Sequence, residues 1–518
     1  MTLFCGRQAE KRANAIAVSD ERGERTWQQL DERANRLLNR LRAEGLDAGD
    51  VIAVFAGNCT EYFDILMAAT HGGLLCVPVN WHFSAEELAY VVADSGARWL
   101  FVEDRFAQTA RDAVKEHGMT AAGVVQIRGD ATGFTPYEEW LAGGAPDEPE
   151  NQVMGGPMFY TSGTTGRPKG VRSSTSAKAA PLATLDMMSQ GLSGMLGIPS
   201  DGTTLLCGPV YHSAQWAFSF LPLIAGSRVV MRHRFEPAET LALIDTHKVT
   251  NVHLVPTQFH RLLRLPDDVR AAFDGGSLQI VWHGAAPCPP GVKRAMIDWW
   301  GPIVSEYYGS TEGSIVSTAS AGEWQERPGT VGKPSPLVEI TIRDDSGNVL
   351  PAGEHGQIYV KNRMGTDFEY HNAPDKTRDV HLEPGVFTFG DIGYFDADGY
   401  LYLSDRKIDM IISGGVNIYP AEIEGVLATH PAVRDAAVFG IPNEEFGEEV
   451  KAAVTLNDGY AAGDGLAAEL VQWVRDHLAG YKAPRSIDFE TDMPRHETGK
   501  LYKRLLRDRY WQGSDRRI

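Results

Sequence analysis

The alternation of apolar strand patterns with amphipathic helix patterns is the feature that most constrains the fold of this chain. The run 51–55 (Val-Ile-Ala-Val-Phe) has the length and composition of a buried strand, and a helix pattern covers residues 61–71. Two further strand patterns follow at 74–79 and 98–102. Strands that are connected through helices pair in parallel and lie between helical layers. The sequence therefore predicts an α/β fold in this part of the chain.

Two of the predicted helices carry clear start signals. Thr26 with Gln29, and Ser84 with Glu87, have the spacing of a capping box, in which each side chain bonds to the backbone of the other residue. Gly45 stands where a helix that begins after Thr26 would end, because glycine tolerates a left-handed conformation there. We therefore expect helices to begin directly after Thr26 and Ser84.

The pattern changes near residue 331. Residues 338–342 alternate between apolar and polar side chains, and turn signals at 344–347 and 396–399 indicate antiparallel hairpins. After residue 405 the chain reads as a separate α+β unit of roughly a hundred residues. Because 518 residues are too many for one hydrophobic core, the chain is predicted to form two or more domains.

A run of small, hydroxyl-bearing and basic residues spans positions 160–171 (Tyr-Thr-Ser-Gly-Thr-Thr-Gly-Arg-Pro-Lys-Gly-Val). Glycines let the backbone approach an anion closely, while successive N–H groups, hydroxyls and a lysine supply donors and charge. The run is not a Walker A loop, because Pro168 separates Arg167 from Lys169 and no Ser or Thr follows the lysine. It indicates phosphate binding; a flexible linker is the alternative.

The net charge of the chain, 49 basic against 68 acidic residues, is −19. Such an acidic chain is poorly suited to sequence-independent nucleic-acid binding, so we expect no nucleic-acid partner. The five cysteines lack C-x-x-C spacing and indicate reduced thiols rather than a disulfide framework or a zinc site. No secretory leader pattern and no apolar run of membrane-spanning length is found, so we expect a cytoplasmic protein without an integral membrane segment.

Two further motifs follow the run at 160–171, in a characteristic order. They are Tyr308-Gly309-Ser310-Thr311-Glu312 and, near the C-terminus, Gly499-Lys500. Together the three motifs resemble the signatures of the adenylate-forming superfamily, which includes acyl- and aryl-CoA synthetases. The resemblance implies that ATP activates a carboxylate to an acyl-adenylate with release of pyrophosphate. It also implies ATP, Mg²⁺ and CoA as cofactor and co-substrates.

The resemblance covers essentially the whole chain and implies a domain organisation. The fold would be α/β, with a large N-terminal domain of packed α/β subdomains plus a distorted β-barrel. A small mobile α+β domain would follow. The implied boundaries are 1–404 for the N-terminal domain, 405–409 for a hinge and 410–518 for the C-terminal domain.

The resemblance implies a nucleotide site from several segments. Glu312 would bind Mg²⁺, Thr311 would contact the α-phosphate, and Asp391 would bind the ribose. The other implied ATP-binding residues are Thr161, Ser162, Gly163, Thr164, Thr165, Gly166, Lys169, Gly284, Ala285, Ala286, Glu306, Tyr307, Tyr308, Gly309 and Arg406. Without the resemblance, the motif at 308–312 is equally compatible with a capped turn, the segment 284–286 with a strand-to-helix connection, and the lone charges with a solvated surface.

The resemblance also implies the residues of the two reaction steps. Lys500 would neutralise charge as the carboxylate attacks the α-phosphorus. Ser413, Gly414 and Gly415 would flank the path of the CoA thiol. His212 would act at the entrance of the acyl pocket. The residues expected to contact the acid are Tyr211, Trp216, Trp282, His283 and Ser310. The aromatic side chains favour a bulky apolar acid, although core packing is an equally good interpretation of each.

Ile408 departs from the family pattern, which has Asp or Lys at this hinge position in many members. A β-branched side chain disfavours positive φ, but a hinge needs only residues that absorb a change in backbone angle. We therefore expect the C-terminal domain to rotate with the torsion shared among neighbouring residues.

The sequence thus predicts an ATP-dependent carboxylate–CoA ligase that acts on a fatty, aryl or steroid-like acid. Three alternatives stay open. One is transfer of the activated acyl group to a carrier protein or an amine, another is unusual chemistry on the adenylate, and the third is a noncatalytic nucleotide sensor. The resemblance leaves open whether the protein is a homodimer.

Overall fold

The structure is a computed structural model that describes residues 4–130, 133–161, 167–174, 180–406, 409–414, 416–495 and 501–511. Four sheets with their covering helices account for the described part of the chain. The sheets lie in two N-terminal α/β units, a small hairpin sheet and a C-terminal α+β unit.

The first unit is built on a six-stranded parallel sheet, which confirms the predicted α/β alternation. In spatial order its strands are Thr135–Pro136, Gly123–Ile127, Trp99–Glu103, Val51–Phe55, Leu75–Pro78 and Gly156–Pro157. Its helices are Phe4–Arg12, Trp27–Ala43, Thr60–His71, Ala85–Ser95, Ala107–His117 and Tyr137–Ala142, with a short 3₁₀ turn at Asp104–Phe106. The strand predicted at 51–55 has the observed bounds, and the other predicted elements of this unit are displaced by about one residue at their ends.

Both predicted capping boxes are present. The Thr26 hydroxyl accepts a hydrogen bond from the Gln29 N–H, and the Gln29 side chain accepts one from the Thr26 N–H. Ser84 and Glu87 make the same pair of bonds at the start of Ala85–Ser95. Gly45 has a φ of +78°, as expected for the residue that ends the first of these helices.

The second unit contains a fourteen-stranded sheet that is parallel in one half and antiparallel in the other. In spatial order its strands are Val338–Arg343, Gly356–Asn362, Val386–Phe395, Leu401–Arg406, Thr330–Pro334, Ser314–Ala319, Val304–Ser310, Ile280–His283, Asn251–Leu254, Thr203–Leu206, Arg228–Met231, Ile16–Asp20 and Gly23–Thr26, with His381–Glu383 beside Val386–Phe395. Its helices are Leu182–Met195, Ser213–Ala225, Pro237–His247, Pro256–Leu263, Asp267–Ala272, Pro290–Trp300, Ala321–Glu326 and Pro374–Val380. The antiparallel half stands where the barrel was predicted and is continuous with the parallel half.

A three-stranded antiparallel sheet connects the two units. Its strands are Phe368–Tyr370, Lys169–Ser173 and Phe159–Thr161. Lys169 lies opposite Thr161, and Val171 lies opposite Tyr370, so this small sheet places residues near 160 and residues near 370 on either side of strand Lys169–Ser173.

The C-terminal unit is an α+β fold, as predicted. Its strands are Val416–Ile418, Ile411–Ser413, Gly447–Leu456, Val433–Asn443 and Ser486–Phe489. Its helices are Pro420–Leu427, Asp464–His477 and Lys503–Arg507, with a 3₁₀ turn at Gly480–Lys482. It has its own buried core, which includes Ile411, Ile423, Val438, Val454 and Leu470. The helices of the described chain include none that is long and apolar enough to cross a bilayer.

Candidate active site

The described ends of the predicted phosphate run lie on two antiparallel strands. Thr161 ends the first strand, and Lys169 begins the second strand directly opposite it. Arg167 lies 4.9 Å from the centre of the Tyr90 ring, and the Tyr90 hydroxyl donates to the Pro168 carbonyl (3.2 Å). The predicted contacts Ser162, Gly163, Thr164, Thr165 and Gly166 lie outside the described residues.

Tyr370 connects this hairpin to the second motif. Its hydroxyl donates to Glu312 Oε1 (3.0 Å), and Lys169 Nζ lies 5.5 Å from the centre of its ring. Burial lowers the pKa of Lys169, with Lys376 acting in the same direction. The structure thus brings the lysine of one motif and the carboxylate of the other to the same aromatic side chain.

The second motif forms a tight turn between two antiparallel strands. The Ser310 hydroxyl accepts hydrogen bonds from the N–H groups of Glu312 (3.2 Å) and Gly313 (3.1 Å). Thr311 and Glu312 are partly exposed at this turn. Ser310, which was predicted to contact the acid, therefore holds the turn through its hydroxyl.

Thr311 meets the start of a long helix. Its hydroxyl lies 2.8 Å from the hydroxyl of Ser213, the first residue of Ser213–Ala225, and His212 is the N-cap of that helix. Helix N-termini present free N–H groups and a partial positive charge, which favour an anion. His212, Ser213 and Thr311 together therefore form a place suited to a carboxylate or a phosphate.

Asp391 lies on the other side of the same strand end. The Tyr308 hydroxyl donates to Asp391 Oδ2 (2.6 Å) in a partly buried hydrogen bond. A carboxylate next to an aromatic ring fits a ribose and its base, because the carboxylate accepts from hydroxyls and the ring offers a stacking face.

The segment after strand Ile280–His283 approaches this strand closely. A Cβ at Gly284 would lie 2.6 Å from the Tyr307 ring and 2.8 Å from the Tyr307 carbonyl oxygen. Ala285 adopts a φ of +66°, which is rare for a residue with a side chain, and Ala286 is partly exposed. Gly309 is equally restricted, since a Cβ there would collide with the Ser314 carbonyl oxygen. Gly284 and Gly309 are therefore positions at which any larger side chain would collide with its neighbours.

Glu306 lies on the same strand as Tyr307 and Gly309 and forms a buried ion pair. The Lys293 ammonium, on helix Pro290–Trp300, donates to Glu306 Oε2 (2.5 Å), and both residues are fully or almost fully buried. Burial raises the pKa of Glu306 and lowers that of Lys293. The Glu306 carboxylate therefore forms a buried ion pair with helix Pro290–Trp300, and its contact with the nucleotide stays a prediction.

The residues predicted for the acid fall into separate places. Trp282 is buried beside Phe218 and Tyr307, and its indole N–H donates to the Leu196 carbonyl (2.8 Å). His283, the next residue, is fully buried against Phe259 on the opposite face of the strand. Burial lowers the pKa of His283 well below its ordinary value. Trp282 and His283 therefore do not share a pocket.

Tyr211 and Trp216 lie toward the first α/β unit. The Tyr211 hydroxyl is 3.4 Å from His82 Nδ1, and the Tyr211 ring packs with the core of the six-stranded sheet. Trp216 makes an edge contact with Phe159, at 5.9 Å between ring centres, at the base of the phosphate hairpin. These two aromatics border the hairpin and lie away from the cluster around Trp282.

Part of the predicted C-terminal contribution lies within the described chain. Ser413 ends strand Ile411–Ser413, and the Gly414 N–H donates to the Phe446 carbonyl (2.8 Å). Gly414 has a φ of +58°, so the turn at this hairpin requires glycine. Gly415, Lys500, Ile408 and the side chain of Arg406 lie outside the described residues.

Two residues that contact the motif at 308–312 were not predicted. They are Ser213 and Tyr370. Ser213 lies 98 residues from Thr311, Tyr370 lies 58 residues from Glu312, and a single serine or tyrosine is too common to stand out.

No cluster of three or more His, Cys, Asp or Glu side chains suited to a metal ion occurs within the described ranges. Mg²⁺ is commonly held by one or two carboxylates together with phosphate oxygens and water. Glu312, oriented by Tyr370 and next to Lys169, fits such an arrangement. The residues present therefore suit a metal ion that arrives with a nucleotide.

Comparison with known proteins identifies the family. The family model of the AMP-binding enzyme matches residues 5–366, and that of the AMP-binding enzyme C-terminal domain matches residues 422–500. This chain belongs to the AMP-binding enzyme family. The first match covers the first α/β unit and most of the second and ends before strand Phe368–Tyr370, and the second match lies within the C-terminal unit.

Three members of the family illustrate the similarity. A feruloyl-CoA synthase from Amycolatopsis sp is 33% identical over 97% of this chain and 98% of its own length. A fatty acid–[acyl-carrier-protein] ligase from Streptomyces coeruleorubidus is 31% identical over 95% of this chain and 93% of its own. The crystal structure of ATP-bound MatB from Rhodopseudomonas palustris superposes with a TM-score of 0.83 at 27% identity, covering 98% of this chain and 99% of that one.

These findings confirm several predictions. The adenylate-forming family and the α/β fold with a large N-terminal and a small C-terminal domain are confirmed. The enzyme class, an AMP-forming acid–thiol ligase that uses ATP, Mg²⁺ and CoA, is confirmed by the family and its CoA ligases. The roles of individual residues and the domain boundaries stay predictions.

Proposed function

We propose that this chain ligates an aromatic carboxylic acid to CoA, with the reaction centred on the turn at 310–313. The observation that carries the proposal is the convergence on this turn. Thr311 touches the start of helix Ser213–Ala225 (2.8 Å between hydroxyls), Glu312 is bound by Tyr370 (3.0 Å), and Tyr308 is bound to Asp391 (2.6 Å). Sites suited to the acid, the metal and the nucleotide thus meet within a few residues.

The nucleotide would be held by groups on several segments. Thr161, Lys169 and the loop at 162–166 would bind the β- and γ-phosphates. Tyr308 and the segment Gly284–Ala286 would hold adenine, and Asp391 with Arg406 would bind the ribose. Glu312 would hold Mg²⁺, which neutralises phosphate charge when it is bound.

The first step would join the acid to AMP. A carboxylate oxygen attacks the α-phosphorus, the bond from phosphorus to the bridging oxygen breaks, and pyrophosphate leaves. Thr311, with Ser213 and His212 at the helix N-terminus, would hold the charge that develops at the reacting oxygens, and Lys500 would supply a cation from the C-terminal domain.

The second step would transfer the acyl group to CoA. The thiol sulfur attacks the acyl carbonyl carbon, the bond to the AMP oxygen breaks, and the thiol proton is lost. Ser413, Gly414 and Gly415 would form the wall of the thiol path once the C-terminal domain, 410–518, has turned about a hinge at 405–409. Glycine at 414 suits this role because it leaves space next to the backbone.

The acid is proposed to be aromatic. Phe218 lies on the helix that begins at Ser213, and Tyr307 lies on the strand that ends at Ser310, directly before Thr311. Trp282 packs with both from the neighbouring strand Ile280–His283. Aromatic walls bury a large area of a flat substrate. The similarity to a feruloyl-CoA synthase supports the same class. We also propose that the enzyme works in the cytoplasm as a homodimer, and measurement of its mass in solution tests the second part of this proposal.

The proposal is tested by pyrophosphate release from ATP and Mg²⁺ with a panel of cinnamic, benzoic, medium-chain fatty and steroid acids, each with and without CoA. We expect release with the aromatic acids and an acyl-CoA product of the corresponding mass. Pyrophosphate release together with a product formed only on an added carrier protein or amine would instead favour the alternative acceptors. Release with fatty or steroid acids alone would contradict the aromatic assignment.

A further inference from the structure

A chain of buried hydrogen bonds ends at Tyr307, inside the cluster assigned to the acid. Tyr307 lies on strand Val304–Ser310, four residues before Thr311, and faces helix Ser213–Ala225. Its ring lies 5.2 Å from that of Phe218 on this helix. The same strand and helix therefore carry both the reacting end of the site and Tyr307. Since a strand rises about 3.3 Å per residue, Tyr307 lies at most about 13 Å from Thr311 along it.

The chain of hydrogen bonds begins at the backbone N–H of Gly208, which can only donate. The Gly208 N–H donates to Gln215 Oε1 (3.3 Å), so this oxygen and not the amide nitrogen must face Gly208. The Gln215 Nε2 group then faces His253 Nδ1 at 2.9 Å. Because Nε2 is a donor, His253 Nδ1 must accept.

The proton of His253 is therefore on Nε2. A neutral imidazole has one donor and one acceptor nitrogen, and Nδ1 is already the acceptor. His253 is 2% exposed, and burial lowers its pKa to about 3, so the ring is neutral at physiological pH. Its Nε2–H donates to the Tyr307 hydroxyl oxygen (3.1 Å).

Tyr307 is left with a hydroxyl hydrogen that points away from His253. The hydroxyl accepts from His253, and within the described part of the chain no protein group accepts the hydrogen of Tyr307 itself. Only 6% of the residue is exposed. A buried donor without an acceptor costs free energy, and such a donor is therefore a candidate ligand contact.

The surroundings of the Tyr307 ring are apolar. They comprise Leu196, Ile198, Phe218 and Trp282, with Ile315 and Ala214 at the edge. The one polar side-chain atom of Trp282, its indole N–H, is occupied by the Leu196 carbonyl. An oriented donor in an otherwise apolar wall recognises an acceptor on a mainly apolar ligand.

We propose that the Tyr307 hydroxyl donates a hydrogen bond to an oxygen on the acyl part of the bound acid. The preferred substrates would then carry a hydroxyl, ether or carbonyl oxygen on the scaffold, less than about 13 Å from the carboxylate. An unsubstituted hydrocarbon acid would leave the donor unpaired and react less well. This inference rests on the proposed function, and it moves Tyr307 from the adenine side, where the sequence placed it, to the acid side. Gln215 and His253 are positioning residues, because they act through Tyr307.

The test compares matched pairs of acids that differ by one oxygen. Cinnamate is paired with its 2-, 3- and 4-hydroxy and 4-methoxy derivatives, and kcat/KM for pyrophosphate release is measured without CoA. We expect the wild-type enzyme to prefer the oxygenated member of at least one pair by 10-fold or more. Tyr307→Phe should reduce that preference about 10-fold, by slowing the oxygenated acid and sparing cinnamate.

Two further variants separate recognition from structure. Tyr62→Phe makes the same chemical change at a fully buried tyrosine of the first unit, and the preference should stay unchanged. Gln215→Leu removes the group that fixes the His253 proton, so Tyr307 can donate to His253 and the preference should fall as in Tyr307→Phe. Thermal unfolding of each variant shows whether its fold is retained.

The outcomes are distinguishable from those of the proposed function. If no acid in the panel supports pyrophosphate release, the proposed function fails. If the acids react but no pair shows a preference, or Tyr307→Phe slows both members of every pair equally, the role of Tyr307 in specificity is refuted.

Discussion

The bond between Tyr308 and Asp391 makes Asp391 the residue whose replacement most directly tests the nucleotide site. Asp391→Asn keeps the size of the side chain and removes its charge, so the hydroxyls of a ribose lose a strong acceptor. We expect KM for ATP to rise about 10-fold, because a hydrogen bond to a charged group contributes more than a neutral one. Steady-state kinetics with saturating acid measure KM for ATP in the two proteins.

Asp398→Asn is a matched control for this change. Asp398 lies in an exposed hairpin turn of the same antiparallel sheet, where it pairs with Arg327 (2.9 Å). Its replacement should leave KM for ATP unchanged. Equal KM values for ATP in wild type and Asp391→Asn would show that Asp391 does not bind the nucleotide.

The buried pair of Lys293 and Glu306 gives a stability prediction. Lys293→Met leaves the Glu306 carboxylate without its cation in a site from which water is excluded, and we expect the free energy of unfolding to fall by about 3–5 kcal/mol. The double variant Lys293→Met/Glu306→Leu removes both charges and should recover most of this loss. Urea unfolding followed by tryptophan fluorescence compares the three proteins.

The single and the double variant together show whether Lys293 and Glu306 affect stability through their charges or through their packing. Recovery in the double variant identifies the loss as the cost of one unpaired buried charge. A double variant as unstable as Lys293→Met would mean that the packing of the two side chains, rather than their charge, is what matters.

At the scale of residues, the sequence identified the motif positions but not their partners. Thr311, Glu312 and Asp391 belong to short patterns with a recognisable order. Ser213 lies 98 residues before Thr311, and Tyr370 lies 58 residues after Glu312. Neither has a local pattern, so only the fold reveals these contacts. Glu306 belonged to a recognised motif, but its burial against Lys293 depends on a helix whose packing the sequence does not specify.

At the scale of elements, the start of helix Ala85–Ser95 allows the stabilising effect of a predicted capping box to be measured. Ser84→Ala removes the hydroxyl that accepts from the Glu87 N–H, and an N-cap of this kind contributes about 1 kcal/mol. We expect the free energy of unfolding of this unit to fall by about that amount. Chemical denaturation gives the difference.

Ser346→Ala serves as the control for this cap. Ser346 is exposed in a turn between two strands and begins no helix, so its replacement should change stability by less than about 0.5 kcal/mol. Equal effects of the two substitutions would show that the capping bonds of Ser84 contribute nothing measurable.

Capping boxes and strand periodicity were predictable because their causes lie within a few residues. The strand at 51–55 and the helices after Thr26 and Ser84 agree with the structure for this reason. The sheet order was not predictable. Strand Ile16–Asp20 does not join the six-stranded sheet of the first unit. It pairs in parallel with Arg228–Met231, more than 200 residues away, and no local pattern specifies such a partner.

At the scale of the whole molecule, the predicted hinge region contacts both domains. Asp405 belongs to strand Leu401–Arg406 of the large sheet, and its carboxylate accepts from the Ala421 N–H (2.8 Å) at the start of helix Pro420–Leu427. Lys503, near the C-terminus, donates to Glu424 on this helix (2.8 Å) and lies 4.0 Å from Asp405. A second contact joins Arg264 to Asn457 (2.8 Å). Polar contacts of this kind can break and re-form, as a domain that is proposed to rotate requires.

The measurement that tests the central claim most directly is a single-turnover experiment with enzyme in excess of ATP. The protein is mixed with an aromatic acid and Mg²⁺–ATP, and the products are quenched before and after CoA is added. We predict that acyl-AMP and pyrophosphate form in equal amounts without CoA, and that CoA then converts the adenylate to acyl-CoA and AMP. Release of ADP and phosphate, or a thioester that forms without a preceding adenylate, would contradict the account.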